Sequence, residues 1–248
     1  MNEASQNKTA YDLWHQRKAH EESTFNEIIY PWHRTVARLL PDLTGLKVLE
    51  VGCGRGDFSL WLGRKYPRAD ITGVDFSDAA VAVAVGKQPL AQSNVRFAVD
   101  DAENLKFSEA SFDYVISCEC LEHVPHPGQM AREIARVLKP AGKFILTTEN
   151  YLNGMLLAWL NSWLRNQAFD SGSGAQPHEN FFLWWRVKQL LEGGGLRIEH
   201  MESNHFQWFL LPRVAPHKLC SKDIASPFWK KVLRPFGRHF TYQGSKRS

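Results

Sequence analysis

The stretch Val48-Leu-Glu-Val-Gly-Cys-Gly-Arg-Gly-Asp-Phe58 decides the fold class of this 248-residue chain. It reads as a buried strand, a turn with the pattern G-x-G-x-G at Gly52, Gly54 and Gly56, and the start of a helix. This order is typical of the first strand, loop and helix of a nucleotide-type binding fold. The sequence therefore predicts a ligand at this turn.

Two carboxylates near the turn indicate the charge of that ligand. A dinucleotide fingerprint would continue to a third glycine at position 57, where the pyrophosphate lies on the helix N-terminus. Here position 57 is Asp57, which would repel a pyrophosphate, and Glu50 precedes the turn. This pair suits a ligand that carries positive charge. S-adenosylmethionine (SAM) fits, because it has an adenosine, a sulfonium and an ammonium but no phosphate.

Residues 48–58 resemble the first motif of class I SAM-dependent methyltransferases, E-x-G-x-G-x-G. Taken alone, the motif also leaves open another Rossmann-like protein. The resemblance implies a SAM site that continues into three later segments of the chain. The residues that it assigns to the cofactor are Glu50, Gly52, Cys53, Gly54, Gly56, Asp75, Phe76, Asp101, Ala102 and Cys118.

The strand Ile71–Asp75 ends in an acid about 20 residues beyond the glycine turn, the spacing that a ribose-binding acid needs. Asp75 can accept hydrogen bonds from both ribose hydroxyls, and Phe76 can cover one face of the adenine. Asp75 could instead cap the helix that Ser77 starts. We expect ribose binding, because the turn and the acid occur in the right order and at the right separation.

The next two strands extend the resemblance to residues 45–150. Val95–Val99 leads into Asp100-Asp101-Ala102, where the family places an acid near the adenine amino group. By alignment that acid is Asp101, with the N–H of Ala102 facing the ring and Asp100 acting as a turn residue. A further strand, 113–118, ends at Cys118 and leads into Glu119-Cys-Leu-Glu-His123.

Strands alternate with helices along the chain, which predicts an α/β fold with a parallel sheet and right-handed crossovers. The predicted fold is a Rossmann-like, seven-stranded, mostly parallel sheet with helices on both faces. Pro31 marks a helix start or kink, and Ser77 caps a helix that runs to about Val85. The predicted strands are 47–51, 71–75, 95–99, 113–118, 143–148, 196–199 and 239–242, and a helix is predicted over 128–139.

Length and composition favour a single domain. The chain has a net charge of +4, is 44% hydrophobic, and has no apolar run approaching the length of a membrane-spanning helix. Its first residues lack the pattern of a signal peptide, and its four cysteines form no C-x-x-C pair, which favours reduced thiols in the cytoplasm. Within the single domain, the predicted parts are a helical cap (1–44), the SAM-binding core (45–150) and substrate-lid insertions (151–180 and 205–237).

The second insertion, extended to residue 238, combines aromatic residues with a run of cations that faces a single acid, Asp223. A solvated basic face over an ordinary core is the default interpretation. Peripheral contact with anionic lipid through 205–238 is the second. Nucleic-acid binding ranks last, because the net charge is modest and no RNA-binding module is visible. The sequence makes no prediction of oligomeric state.

The block Glu119-x-x-Glu122-His123 supplies candidates for activating a nucleophile. His123 can act as a general base, with the two carboxylates beside it. The block also resembles that of metal-dependent O-methyltransferases, including small-RNA 2′-O-methyltransferases and ubiquinone-pathway catechol methyltransferases. That resemblance implies Mg²⁺ held by Glu119, Glu122 and His123, with His178 as a further ligand. In metal-free relatives, however, the same L-E-H-V sequence orients loops, and His178 alone could be an ordinary loop histidine.

These features predict a SAM-dependent methyltransferase that acts on a hydroxyl of a small molecule, namely a hydroxylated aromatic, a sugar or a lipid-linked acceptor. N- or C-methylation and RNA 2′-O-methylation are the alternative reactions. A SAM-binding regulatory protein without turnover is the non-enzyme alternative, which the absence of S-adenosylhomocysteine production would favour. An NAD-dependent oxidoreductase is disfavoured by Asp57 and by the missing third glycine.

Overall fold

The computed structural model describes residues 3–18, 30–88, 93–150, 182–206 and 234–247, and isolated positions at 152, 163, 164, 166, 177, 178, 180, 228 and 232. Its helices are α1 (Glu3–Lys18), α2 (Pro31–Leu39), α3 (Asp57–Lys65), α4 (Asp78–Lys87), α5 (Pro127–Val137) and α6 (Trp184–Gly193). Its strands are β1 (Lys47–Val51), β2 (Asp70–Asp75), β3 (Val95–Val99), β4 (Phe112–Cys118), β5 (Leu138–Glu149), β6 (Leu196–Phe206) and β7 (Gly237–Lys246).

The seven strands form one sheet in the order β3-β2-β1-β4-β5-β7-β6. Strands β1 to β5 pair in parallel, whereas β7 is antiparallel to both of its neighbours, β5 and β6. The prediction of a seven-stranded, mostly parallel sheet is confirmed. The strand order reverses between β1 and β4, and in such sheets ligands bind in the crevice at that point.

Two apolar clusters cover the two faces of the sheet. Val48 in β1 belongs to one cluster and Leu49 to the other, because successive side chains of a strand point to opposite faces. The cluster around Leu49 contains residues of α5 and α6, and the cluster around Val48 contains residues of α2 and α3. Helices therefore lie on both faces, as predicted.

Local sequence explains several helix ends. Pro31 occupies the first turn of α2, where its missing N–H costs no hydrogen bond, so the predicted helix start is confirmed. Ser77 caps α4 by accepting a hydrogen bond from the Ala80 N–H at 3.1 Å, also as predicted. Helix α3 ends at Lys65, before Pro67.

The boundary between α5 and β5 differs from the prediction. The helix ends at Val137 and the strand begins directly at Leu138, not at position 143. The pairing of β4 with β5 shifts after Phe112↔Leu138 and resumes at Tyr114↔Lys143. Ala141 lies in this shift with φ of 59°, so the Pro-Ala-Gly sequence forms an irregularity within the strand and not a turn before it.

Strands β6 and β7 are longer than predicted, because they pair with each other along most of their length. Residues 200–205 are polar apart from Met201, so apolar alternation does not predict the second half of β6. Helix α1 likewise lacks an apolar stripe, and tertiary contacts hold its middle. The Asp12 carboxylate accepts hydrogen bonds from the Ser77 hydroxyl (2.6 Å) and the Ala79 N–H (3.1 Å) at the start of α4.

Most of the two insertions lies outside the described residues, so the lid prediction stays a prediction. Among the described residues, no helix is both long and apolar enough to cross a bilayer. The three cysteines that the structure describes, Cys53, Cys118 and Cys120, are free.

Candidate active site

A cavity of about 590 Å³ opens at the carboxyl ends of the parallel strands. All of the residues predicted to form the site line this cavity, except Gly56 and His178. We call the part formed by the glycine turn, the end of β2 and the loop after β3 the cofactor half. We call the part formed by the start of α2, the ends of β4 and β5 and the start of β7 the acceptor half, after the role that we propose for it below. Its lining residues are Tyr30, Trp32, His33, Glu119, Glu122, His123, Glu149, Arg238 and His239.

The glycine turn is held tightly on one side and open on the other. Gly52 has φ of 76°, and a Cβ there would lie 2.6 Å from the Cys120 sulfur. Gly54 has φ of 53°, yet a Cβ there would meet only one described atom, in the His15 ring at 4.0 Å. A ligand can therefore approach the backbone at Gly54. Gly56 serves packing instead, because a Cβ there would lie 2.7 Å from both Ala84 and Phe97.

Asp75 lies at the end of β2 and accepts two backbone hydrogen bonds. Its Oδ2 accepts from the Gly54 N–H at 2.8 Å and its Oδ1 from the Ser77 N–H at 3.0 Å. The side chain thus ties the glycine turn to the start of α4. Because a carboxylate oxygen has more than one lone pair, each oxygen can still accept a hydrogen bond from a hydroxyl.

Glu50 is buried in β1, 2% exposed, and accepts a hydrogen bond from the Ser59 hydroxyl. Burial raises the pKa of this carboxyl to about 8, and the nearby charges of Asp57 and Asp75 add to the rise. A positively charged ligand group beside it would favour the ionised form.

Asp57 has a partner that the sequence did not predict. Its Oδ1 lies 2.9 Å from the Lys87 ammonium at the end of α4, and both side chains are largely buried. This ion pair offsets the negative charge of Asp57, so that charge alone does not exclude a pyrophosphate. The absence of a third glycine still disfavours a dinucleotide.

The loop after β3 contains two adjacent acids, Asp100 and Asp101, which accept different backbone hydrogen bonds. Asp100 is buried and accepts hydrogen bonds from the N–H groups of Asp101 and Lys106, both at 3.0 Å, which confirms its role as a turn residue. Asp101 Oδ1 accepts from the Glu103 N–H at 2.9 Å. Asp101 and Ala102 line the cavity with Phe76.

Helix α1 contributes Asn7, Tyr11, Trp14 and His15 to the cavity lining, a contribution that its polar sequence did not predict. The Tyr11 hydroxyl donates to the backbone carbonyls of His123 (3.2 Å) and His178 (3.3 Å). Helix α1 thus joins the cofactor half to the loop after β4.

Glu119 follows β4 with φ of 49°, a left-handed conformation that costs a non-glycine residue about 1 kcal/mol. Its N–H donates to the Thr147 carbonyl (3.1 Å) and hydroxyl (3.2 Å), which holds this backbone against β5. Its Oε2 lies 3.1 Å from His239 Nδ1. Burial raises the pKa of Glu119 to about 7.

Glu122 is 1% exposed and accepts a hydrogen bond from the Thr148 hydroxyl at 2.8 Å. Burial, together with the neighbouring charge of Glu119, raises its pKa to about 8. Its Oε1 lies 3.9 Å from His123 Nε2. Glu119, Glu122 and His123 are therefore neighbours on one wall of the cavity, as predicted from their spacing.

The ring orientation of His123 follows from its contact with His178. His123 Nδ1 lies 3.0 Å from the His178 carbonyl oxygen. Because a carbonyl only accepts, Nδ1 carries the proton, and Nε2 of the neutral ring has a free lone pair. His178 therefore meets this wall through its backbone, and its imidazole does not line the cavity.

Glu149 and His239 are two further cavity residues that the sequence did not predict. They are register partners at the end of β5 and near the start of β7. Ligand atoms of Glu119, Glu149 and His239 all lie within 4.8 Å of one another. Burial raises the pKa of Glu149 and lowers that of His239 to about 4. Glu149 ends its strand as Glu119 follows the neighbouring one, so the rule that places ligands at strand ends would have found it.

Aromatic rings line the rest of the acceptor half. Tyr30 stacks on Trp32 with centroids 4.7 Å apart, and Trp32 lies 5.2 Å from the His239 ring. His33 stacks on Phe58 at 4.5 Å, and burial lowers its pKa to about 3. This side of the cavity can therefore hold a flat apolar group next to ionisable side chains.

The cofactor half fits a ligand with a ribose and a cationic group, because the backbone is open at Gly54 and acids lie at Asp75 and Glu50. A family model described as a methyltransferase domain matches residues 49–146. The ubiquinone biosynthesis O-methyltransferase of Coxiella burnetii is 32% identical over 170 residues, which cover 66% of this chain and 69% of that relative. The chain belongs to the class I SAM-dependent methyltransferases. It is accordingly an enzyme of this class, with SAM as its cofactor.

Other relatives agree with the family assignment. The phthiotriol/phenolphthiotriol dimycocerosates methyltransferase of Mycobacterium tuberculosis is 37% identical over 113 residues, which cover 46% of this methyltransferase and 40% of that relative.

Among solved structures, one chain of a complex between the Haloferax volcanii Trm112 methyltransferase activator and a methyltransferase superposes on this chain with a TM-score of 0.67. The two chains are 20% identical, and the match covers 98% of each. A SAM-dependent methyltransferase of Methanosarcina mazei gives 0.61, 20% identity and coverage of 88% and 98%. These likenesses support the fold.

Proposed function

We propose that this methyltransferase transfers the methyl group of SAM to a hydroxyl of a small acceptor with a flat or apolar portion. One observation carries the proposal: a continuous cavity joins the SAM-type turn to aromatic rings and to the ionisable wall at His123. The Coxiella relative is named for O-methylation in ubiquinone biosynthesis, and the mycobacterial relative for a lipid acceptor. Both names favour a ring-bearing or lipid-linked acceptor here.

In this proposal the cofactor half binds SAM. Asp75 accepts hydrogen bonds from the ribose hydroxyls, Phe76 covers the adenine, and Asp101 with the Ala102 N–H meets its edge. The backbone at Gly52, Cys53 and Gly54 lies along the methionine portion, and Cys118 closes the floor. Glu50 provides negative charge for the cationic end of the ligand. Gly56 acts indirectly by seating α3 on the sheet. When bound, SAM supplies an electrophilic methyl group on its sulfonium.

His123 acts in this proposal as the general base. A hydroxyl is a weak nucleophile at neutral pH, so its proton must be removed as the new bond forms. The hydrogen bond from Nδ1 to the His178 carbonyl leaves Nε2 available to take that proton. Glu119 and Glu122, on the same wall, orient the acceptor hydroxyl and balance the charge that develops on the ring.

The sequence also suggested Mg²⁺ held by Glu119, Glu122, His123 and His178. The backbone role of His178 disfavours it as a ligand, whereas the Nε2 lone pair of His123 suits a base and a ligand equally. Metal binding by His123→Ala separates the two, since a base that is not a ligand can be removed without loss of the ion.

We further propose that 151–180 and 205–237 cover the acceptor and that 205–238 touches an anionic membrane surface. Most of these residues lie outside the described part of the chain. Arg238 is described, and it turns toward the cavity, 3.2 Å from Glu149, so it is not part of the proposed basic surface. Liposome co-sedimentation should increase with anionic lipid and fall with salt. Co-sedimentation that changes with neither anionic lipid nor salt would contradict contact with an anionic membrane surface.

The central test is a screen of catechols, phenols, sugar alcohols, hydroxylated lipids, amines and RNA oligonucleotides, with S-adenosylhomocysteine release as readout. O-methylated product from a hydroxylated small molecule, lost in His123→Asn but with SAM affinity retained, is the expected result. Product from amines or RNA alone would replace the proposal with N-methylation or RNA 2′-O-methylation.

A further inference from the structure

A second set of residues in the acceptor half has the chemistry of a cation site. Glu119, Glu149 and His239 come from the adjoining ends of β4, β5 and β7, so a rigid sheet edge holds all three. Their ligand atoms lie within 4.8 Å of one another, and His239 Nδ1 is 3.1 Å from Glu119 Oε2. Donors around a six-coordinate Mg²⁺ are about 3 Å apart when adjacent, so small side-chain rotations would complete the set.

Two carboxylate oxygens at this place lack a partner among the described residues. They are Glu119 Oε1 and Glu149 Oε2, each buried at the level of the atom. Glu149 as a residue is only 8% exposed. Buried polar atoms are nearly always hydrogen-bonded, so these two oxygens, which belong to the Glu119–Glu149–His239 cluster, can each take a further ligand or donor.

Among the described residues, Arg238 supplies positive charge here, and its charge acts on both Glu119 and Glu149. Arg238 contacts Glu149 Oε1 at 3.2 Å, which leaves Oε2 directed elsewhere. Glu122 adds a third buried carboxyl beside Glu119. The backbone of Glu119 is also held in a left-handed conformation, with φ of 49°. Strain of this kind persists where the surrounding structure fixes a side chain in a required direction.

We propose that Glu119, Glu149 and His239 bind a divalent cation of the Mn²⁺ type. Carboxylates suit oxygen-preferring ions, and the imidazole ligand favours a first-row transition ion over Ca²⁺. This set shares only Glu119 with the set implied by the E-x-x-E-H block, and it leaves His123 free as the base. The role of the ion is to hold the acceptor hydroxyl opposite His123. This role rests on the proposed function.

Binding of the metal alone tests the site without any acceptor. The full chain is freed of metal with chelator and titrated with Mn²⁺, and free Mn²⁺ is followed by its electron paramagnetic resonance signal. We expect one site per chain. Glu149→Gln, which keeps the side-chain volume, should weaken Mn²⁺ binding at least tenfold, whereas the matched control Glu122→Gln should change it less than threefold. SAM affinity and the melting temperature of each variant show whether the fold is intact.

Three outcomes would overturn the site: no Mn²⁺ binding by the wild type, equal losses in both variants, or loss in Glu122→Gln with Glu149→Gln unchanged. The last would return the ion to the residues of the E-x-x-E-H block. The experiment also separates this inference from the proposed function. Failure to methylate any acceptor, with Mn²⁺ bound as expected, would count only against the proposed function.

Discussion

Replacing Glu50 by glutamine should change stability and SAM binding in opposite directions. Glu50 is buried, and its pKa of about 8 in the folded chain compares with an ordinary value of 4.5. A group whose pKa is raised by folding stabilises the protein fully below the unfolded pKa and loses that contribution as pH rises toward the folded pKa. Glu50 therefore makes the protein less stable as pH rises from about 4.5 to 8.

The size of the effect follows from the linkage between protons and folding. Each pH unit between 4.5 and 8 lowers the free energy of unfolding by about 1.4 kcal/mol for such a group. At pH 7 the free energy of unfolding is therefore lower by about 3 kcal/mol at most. Glutamine cannot ionise and has nearly the same shape. Denaturant unfolding of the free protein should therefore show Glu50→Gln more stable than wild type at pH 7.5, by about 2–3 kcal/mol, with the difference shrinking toward pH 5.

Binding should respond the other way. If a cationic group of SAM lies beside Glu50, the ionised carboxylate is the binding form, and glutamine should weaken binding by about 1.5–3 kcal/mol. Wild-type affinity should also rise about tenfold from pH 7 to 9 relative to the variant, as the carboxyl becomes ionised. Calorimetry over this range, with Glu50→Gln as control for the titration of SAM itself, measures this difference. Equal affinities and parallel pH profiles would show that Glu50 does not face the cation.

Three other results are expected. Asp75→Ala should weaken SAM binding by about 1.5–3 kcal/mol and Gly54→Val should abolish it, measured by calorimetry with NAD as a control ligand, which should not bind. His123→Ala should lower kcat at least about 100-fold while SAM affinity stays within error, because a base acts only in the reaction. Residues 151–180 and 205–237 should gain hydrogen-exchange protection when SAM and acceptor are both present; unchanged exchange would remove the lid assignment.

Nearly all of the cofactor-half residues that the sequence predicts line the cavity, because they lie next to strand ends in the chain. The glycine turn, Asp75 and Asp101 each follow a short apolar strand, and parallel strands bring their carboxyl ends to one edge. Gly56 is the exception. The motif assigns it to the ligand, whereas its contact with Ala84 and Phe97 is a packing contact that only the fold shows.

The acceptor half could be predicted only in part, because it depends on pairs far apart in the chain. Glu149 and His239 meet through the antiparallel pairing of β5 with β7, and the polar sequences around them hide the true strand lengths. Asp57 and Lys87 pair between two helices, and α1 lacks an apolar stripe. In each case a tertiary contact, and not a local pattern, determines what the residue does.

The strand order explains why these two halves can change separately. The cofactor half depends on β1 and β2, while the acceptor half depends on the ends of β4, β5 and β7 on the other side of the reversal point. Glu119 adjoins both halves, because its neighbour Cys120 packs against Gly52 of the glycine turn. Glu149 on β5 lies two strands from β1 and its glycine turn, and His239 on β7 lies three strands from it. Acceptor specificity in this enzyme should respond to the ends of β5 and β7 while SAM affinity stays nearly constant.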